Sequence, residues 1–214
     1  MNAISPTTLN LRDEAILAAL FRRALRQAGD AMFEMSGRAV AISAPEFRRC
    51  TPGEAIALAG GPDAPVVAVY VSVSGGISGH ALLVLPISGA LRLAARLLAS
   101  LARSPEPRGA DAFAELDALA QSALLELGNV TIAAALNAVG DRMGVPVHPS
   151  VPVLVTEFAG AVLDSGLVDL LAESHEVLAS RTLFVEGADT FDGTLLLLPR
   201  PESLRHLLAA IQVV

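Results

Sequence analysis

Apolar residues recur along this chain at two spacings, and these spacings predict its helices and strands. A three- and four-residue spacing, typical of one helix face, is shown by Ile16, Leu17, Leu20, Phe21, Ala24 and Leu25. A two-residue spacing, typical of a strand with one buried face, is shown by Val67, Val69, Val71 and Val73. Such patterns predict helices over 11–35, 52–59, 87–102, 110–141, 159–173 and 200–212. They predict strands over 38–44, 65–74, 77–86, 150–156, 177–186 and 191–198.

Glycine-containing turns predict how the strands pair. Gly75-Gly76 separates the second and third predicted strands, and Gly187-Ala-Asp189 separates the fifth and sixth. Connections this short form β-hairpins, which pair neighbouring strands in opposite directions. The sequence therefore predicts an α+β fold with a central, mainly antiparallel six-stranded sheet and long helices packed on it.

The two halves of the chain show the same order of elements. Residues 77–86 and 190–199 each predict a strand that ends in Pro and precedes a helix, at a spacing of 113. Ser43-Ala-Pro45 and Ser150-Val-Pro152 match at a spacing of 107, so we expect a longer connection in the second half. Self-similarity of this kind predicts a pseudo-two-fold tandem repeat.

We expect the two repeats to form a single domain that covers 1–214. Repeat 1 spans about 10–102 and repeat 2 about 110–213, with a linker rich in Ser, Pro and Gly at 103–109. One repeat alone would leave an apolar sheet edge open, which favours one domain over two.

The composition favours a globular, cytoplasmic protein. The 214 residues are 53% hydrophobic and 17% charged, the opposite of a disordered chain. The most apolar stretch, 116–139, contains Asp117, Glu126 and Asn129, so we expect no membrane span. The N-terminus lacks the pattern of a secretory signal, and Cys50 is the sole cysteine, which fits a reducing compartment.

Net charge and histidine spacing argue against two further ligands, nucleic acids and metal ions. A net charge of −7 argues against nucleic acid, whose binding needs a basic surface. We interpret the small basic cluster of Arg22, Arg23 and Arg26 as a solvated helix face. No two of the four histidines have the spacing of a metal site, so we expect no metal ligands in this chain.

One narrow polar row crosses the otherwise apolar helix predicted over 110–141. Ser122, Glu126 and Asn129 follow one another at offsets of four and three residues, which puts them on one helical face. We call these three residues the polar stripe. The apolar side is expected to hold Leu119, Ala123, Leu127, Val130 and Ala134.

Two interpretations of the polar stripe are open. In the structural one, Ser122 bonds a carbonyl of its own helix, Glu126 meets an Arg, and Asn129 bonds across a helix interface. In the functional one, the carboxylate pairs with a lysine of another protein and the amide, both donor and acceptor, orients a water molecule. Gly128, about 1 kcal/mol worse than Ala inside a helix, would let another backbone come close.

The polar stripe and Pro152 together resemble a known signature. Ser122, Glu126, Asn129 and Pro152 match the pattern Asp/Ser–x3–Glu–x2–Asn–x22–Pro of the CheC/CheX/FliY family of chemotaxis phosphatases. The run Glu-Leu-Gly-Asn is similar to the Glu-x-Gly-Asn core of that family, which is also built as a tandem repeat.

The resemblance implies a protein phosphatase that acts on the phospho-aspartate of the CheY response regulator. Glu126 would pair with a lysine of the regulator, and Asn129 would orient the attacking water. Ser122, Gly128 and Pro152 would support the shape and position of the helix. The regulator would supply the Mg²⁺, so this chain would need no cofactor of its own. A CheD-like deamidase and a second copy of this chain are further partners to consider.

The first repeat departs from the signature. When Pro45 is aligned with Pro152, Ala15, Ala19 and Arg22 stand opposite the polar stripe. A shifted alignment gives only a weak echo at Gln27 and Asp30. We therefore expect one site, in repeat 2. No C-terminal fusion of the FliY flagellar-switch kind is expected after the last residue. A non-catalytic binding module that uses the same helix face remains the alternative function.

Overall fold

The computed structural model describes residues 11–36, 40–98, 116–165 and 176–212. Its helices are α1 (Leu11–Ser36), α2 (Pro52–Leu58), α3 (Ile87–Leu98), α4 (Ala118–Met143), α5 (Ala159–Ser165) and α6 (Pro201–Gln212). Its strands are β1 (Ala41–Cys50), β2 (Pro65–Gly75), β3 (Gly79–Pro86), β4 (Val147–Pro149), β5 (Val153–Phe158), β6 (Val177–Glu186) and β7 (Asp189–Pro199). The predicted linker at 103–109 and the end of the helix predicted over 159–173 lie outside the described residues.

The described strands form one antiparallel sheet. Their order is β1-β6-β7-β3-β2, and β4 and β5 both pair with the remaining side of β2. Counted from the β1 edge, β6 and β7 are the second and third strands. Counted from the opposite edge, β2 and β3 are the second and third strands. The α+β class with a mainly antiparallel sheet is therefore confirmed, and the strand order is that of a tandem repeat.

The sheet has one strand more than the six predicted, because the edge strand of repeat 2 is divided at Pro152. Pairing with β2 shifts by one residue between β4 and β5, on either side of this proline. Proline has no amide hydrogen to donate to a strand ladder, so it interrupts the strand. β1 shows the same one-residue shift around Pro45 but remains one strand. The match of Pro45 with Pro152 thus marks a bulge that both edge strands share.

The other predicted match, between the strands that end at Pro86 and Pro199, is wrong in register. Leu85 lies in the core on one face of the sheet, whereas Leu198, 113 residues later, lies in the core on the other face. Shifting a strand by an odd number of residues exchanges its faces, so residues at this spacing are not equivalent. The error arose because β3 and β7 are central strands with both faces buried, and such strands show no apolar–polar alternation.

Helices cover the two faces of the sheet unequally. Residues of α1, α3, α4 and α6 build the larger core, which includes Val67 and Val69 of β2. Residues of α2 and α5 build the smaller core, which includes Val66 and Ala68 of the same strand. The alternating valines Val67, Val69, Val71 and Val73 therefore all face the larger core, and α4 lies on that face.

Candidate functional site

Both ends of α4 are capped. The carboxylate of Asp117 accepts a hydrogen bond from the backbone amide of Ala120 at 2.8 Å, which stabilises the first turn. Gly144, with φ of 67°, ends the helix in the left-handed conformation. α4 begins at Ala118, because Asp117 has an extended backbone, so the helix predicted over 110–141 does not continue unbroken through this residue; positions 110–115 lie outside the described residues.

Gly128 lets α4 lie close to the sheet. A Cβ atom at this position would lie 2.6 Å from the Val69 side chain of β2, closer than real Cβ atoms approach their neighbours. Val69 pairs in turn with Leu154 of β5, two residues after Pro152. The glycine of the motif therefore has a structural reason: it brings the middle of α4 down onto the strands beside Pro152. The contact is with a side chain rather than with the backbone expected from the sequence.

The polar stripe lies on the outer side of α4. Ser122 and Glu126 are exposed, and Asn129 is half-buried. None of the three side chains makes a hydrogen bond or an ion pair with any residue in the described part of the chain. The stripe thus presents a hydroxyl, a carboxylate and an amide that remain available to another molecule.

Other polar side chains of α4 do have a structural role, because they donate hydrogen bonds to carbonyl oxygens of their own chain. Gln121 donates a hydrogen bond to the carbonyl oxygen of Leu116 at 2.8 Å. The hydroxyl of Thr131 donates to the carbonyl oxygen of Leu127 at 2.7 Å, within the helix. The structural interpretation required bonds of this kind from the polar stripe, and none is formed with the described residues.

The polar stripe has one apolar neighbour at the surface. Leu119 was expected on the buried side of α4, but 42% of it is exposed. It precedes Ser122 by three residues and Glu126 by seven, a spacing that keeps it beside the polar stripe. The expectation was wrong because the truly buried row is centred on Leu124 and Leu127. An exposed leucine next to unpaired polar groups is a composition suited to contact with another protein.

Asn129 also lines a groove between α1 and α4, with a volume of about 710 Å³. Alanines from both helices form much of its wall. Its polar side chains are Arg23, Gln27, Asn129, Asn137, Asp141 and Arg142. The amide of the polar stripe therefore faces a cleft that is lined by small and polar side chains from both repeats.

The two helices that form this groove run in opposite directions. The carboxylate of Asp13, in the first turn of α1, accepts a hydrogen bond from Gln212 at 3.0 Å. Arg142, in the last turn of α4, donates to the carbonyl oxygen of Ile211 at 3.3 Å. Since the end of α6 holds the start of one helix and the end of the other, Asn129 lies across the groove from the middle of α1.

α1 carries no second Glu–x2–Asn pair. The residues aligned with the polar stripe, Ala15, Ala19 and Arg22, are exposed. α1 contains no asparagine. Gln27 and Asp30 are also exposed, and of these two only Gln27 lines the groove.

Sequence reasoning missed the wall of the groove that α1 supplies. Arg23 was interpreted as part of a solvated face, and no pattern within α1 distinguishes it from Arg22 and Arg26. Asn137 was also missed, although it follows Asn129 by eight residues and extends the polar stripe at helical spacing. The groove itself depends on how the two repeats dock, which the sequence does not display.

The described residues also bear on a metal site and on a membrane-spanning helix. In the described part of the chain, no group of three or more His, Cys, Asp or Glu side chains could hold a metal ion. α4 is long and apolar enough to cross a membrane, but 50% of its most apolar window is buried inside the protein. The core helix of a globular protein has the same composition.

Known proteins that are similar to this chain include a CheY-P phosphatase and two proteins of solved structure. No protein-family profile matches the sequence. The chain is 25% identical over 183 residues to the CheY-P phosphatase CheC of Bacillus subtilis (strain 168), and the match covers 85% of each chain. FliY of Thermotoga maritima has a similar fold, with a TM-score of 0.71 at 15% identity over 96% of this chain and 98% of FliY.

A chain of the FliM–SpeE complex from H. pylori also shares the fold. Its TM-score is 0.67 at 13% identity, and the match covers 96% of this chain and 97% of the other. At such identities the two structures establish the fold alone. The match with CheC confirms the resemblance of this chain to the CheC/CheX/FliY family, and the two structures confirm the fold.

Proposed function

We propose that this protein hydrolyses the phospho-aspartate of a CheY-like response regulator in chemotaxis signalling. The observation that carries the proposal is the exposed polar stripe, in which Glu126 and Asn129 have no partner among the described residues. The CheC relative, named as a CheY-P phosphatase, supports the same activity.

Each residue of the polar stripe has a defined task in this proposal. The Glu126 carboxylate pairs with a lysine of the regulator and holds α4 against the phosphorylation site. The Asn129 amide donates to and accepts from one water molecule, and so aligns it with the phosphorus atom. The water oxygen forms a bond to phosphorus while the bond to the aspartate oxygen breaks. The aspartate leaves as a carboxylate, and the protons of the water remain with inorganic phosphate.

This chain supplies position rather than a nucleophile or a base. A bound Mg²⁺ of the regulator would neutralise charge on the phosphoryl oxygens, so the proposal needs no cofactor from this chain. Ser122 and Gly128 shape the surface and the depth of α4, and Pro152 shapes the edge strand beneath it. Positioning a water for attack on a phosphoryl group is sufficient to accelerate its hydrolysis.

A non-catalytic binding module is the alternative that a specific observation favours. The fold is shared with a chain of a FliM–SpeE complex, so it also occurs in protein assemblies. As a module, the same surface would bind a regulator or a CheD-like partner without accelerating hydrolysis. Either function suits the cytoplasm, which we propose as the location, because the only cysteine, Cys50, is free and buried.

The test is release of inorganic phosphate from a phosphorylated CheY-like protein with Mg²⁺. Asn129→Ala should lower the rate about hundredfold while binding largely survives, because the amide acts on the water. Glu126→Ala should mainly weaken binding. Asn137→Ala is the matched control: the same residue type on the same helix, lining the same groove, eight residues away. Equal rates for the wild type and all three variants would eliminate the phosphatase.

A further inference from the structure

One arginine of repeat 1 lines the groove that Asn129 faces. Arg23 lines the α1–α4 groove together with Asn129. Arg22 and Arg26, its neighbours on the same helix, do not line it. Of the three exposed arginines in this cluster, only Arg23 therefore lines the groove.

The opposite directions of the two helices place Arg23 within reach of the site. Asp13 of α1 and Arg142 of α4 both bond to the end of α6 and so lie at the same end of the helix pair. Counting thirteen residues inward from Arg142 and from Asp13 puts Asn129 level with position 26 of α1, and Arg23 lies three residues away, about one turn. A guanidinium on a flexible stem can cross one turn, so it can approach a group held at Asn129.

The guanidinium of Arg23 is also available. It makes no ion pair or hydrogen bond within the described ranges. Arg22 and Arg26 also have no such partner there, whereas Arg49 binds Glu176 at 2.9 Å and Arg181 binds Asp192 at 2.6 Å. In a chain with a net charge of −7, a cation that lines the groove of Asn129 and has no partner within the described ranges suits an anionic ligand.

We infer that Arg23 binds a phosphoryl oxygen of the phosphorylated regulator that docks at Glu126 and Asn129. Guanidinium groups form charge-assisted hydrogen bonds with phosphate, and the bond strengthens as charge develops on the equatorial oxygens. Repeat 1 thereby contributes a substrate-binding residue to the site of repeat 2. The inference rests on the proposed function, because it names the substrate group that Arg23 contacts.

The experiment compares Arg23→Gln with Arg22→Gln and Arg26→Gln, which remove the same charge from the same helix outside the groove. The wild type and each variant are titrated with the regulator in its unmodified form and in its beryllofluoride-activated form, with Mg²⁺. Arg23→Gln should lose about tenfold in affinity for the activated form, a typical loss for one charged hydrogen bond, and in kcat/KM for phosphate release. Its affinity for the unmodified form should not change. Arg23→Lys should recover part of the loss.

The outcomes separate this inference from the proposed function. An equal loss for both forms of the regulator would assign Arg23 to the regulator surface rather than to the phosphoryl group, and would overturn the inference. An equal loss in all three arginine variants would show general charge steering and would also overturn it. If Asn129→Ala keeps the wild-type rate, the phosphatase fails whatever Arg23 does. If Asn129→Ala loses the rate and Arg23→Gln matches the wild type, only the inference fails.

Discussion

α1 and α4 are equivalent helices of the two repeats, yet only α4 carries a Glu–x2–Asn pair. Each is 26 residues long, and both lie on the same face of the sheet. On the inner face of each helix, a glycine lets the helix pack closely against a neighbouring backbone. A Cβ at Gly29 would lie 2.8 Å from the Val40 carbonyl oxygen, and one at Gly140 would lie 2.9 Å from the Val145 carbonyl oxygen.

The outer faces differ completely. α4 exposes Glu126 and half-exposes Asn129 on a helix that is otherwise rich in Ala and Leu, whereas α1 exposes arginines. Packing constrains only the inner half of each helix. The outer half can therefore lose or keep a site at little cost to the fold. The comparison teaches that the scaffold is common to both repeats and that the chemistry depends on a few exposed positions.

The largest expected effect comes from the shared inner faces. We expect Gly128→Ala to destabilise the protein by about 1–2 kcal/mol, because the new methyl group overlaps Val69 and this outweighs the gain in helix propensity. Chemical denaturation measures the change. Gly89→Ala in α3 is the control, since a Cβ there meets nothing within 4 Å, and it should not destabilise. Equal stability of the two variants would refute the close packing of α4.

Much of this inner architecture could be predicted from the sequence. Helical and strand periods located most elements, because burial on one side leaves a clear pattern. The match of Pro45 with Pro152 also proved sound, since proline leaves its mark on any strand that it interrupts. Where both faces are buried, as at Leu85 and Leu198, the pattern vanishes and the register was lost.

The site was predicted only in part, for a related reason. The polar stripe is local to one helix, so its spacing is visible in the sequence. The groove beside it combines Arg23 from one repeat with Asn129 from the other, and more than 100 residues separate them along the chain. No local period reports such a contact. Leu119 was misplaced because an apolar helix has no polar face to define which leucines point outward.

A smaller effect tests whether the outer face of α4 is a contact surface. Leu119→Ser should change stability by less than about 0.5 kcal/mol, because the side chain is at the surface. It should weaken binding of the response regulator by roughly 1 kcal/mol, through lost apolar contact. Phe33→Ser is the matched control: it removes an exposed apolar side chain from α1, where 53% of Phe33 is exposed. Equal losses of regulator affinity in both variants, measured by calorimetry, would show that the outer face of α4 is not a specific contact surface.

The repeats also differ on the opposite face of the sheet. Tyr70 pairs with the first residue of β5, and Arg181 pairs with Glu46, the first residue of β1 after its bulge, so Tyr70 and Arg181 are equivalent. Arg181 binds Asp192 on the next strand at 2.6 Å. Tyr70 instead stacks on His80 of the next strand and shares a hydrogen bond with its Nδ1 atom. An ion pair in one repeat thus corresponds to a neutral aromatic pair in the other.

The smallest expected effect is a pH dependence that belongs to repeat 1 alone. Burial lowers the pKa of His80, and the charge of Arg200 lowers it further. The unfolded chain therefore binds a proton at a higher pH than the folded one. Stability is complete above the unfolded value of about 6.5 and falls as the pH drops from there toward the folded pKa. His80→Gln should flatten this fall between pH 8 and pH 5 in thermal denaturation, whereas His148→Gln, at an exposed position, should not. A wild-type slope in His80→Gln would show that the aromatic pair is not what makes repeat 1 sensitive to acid.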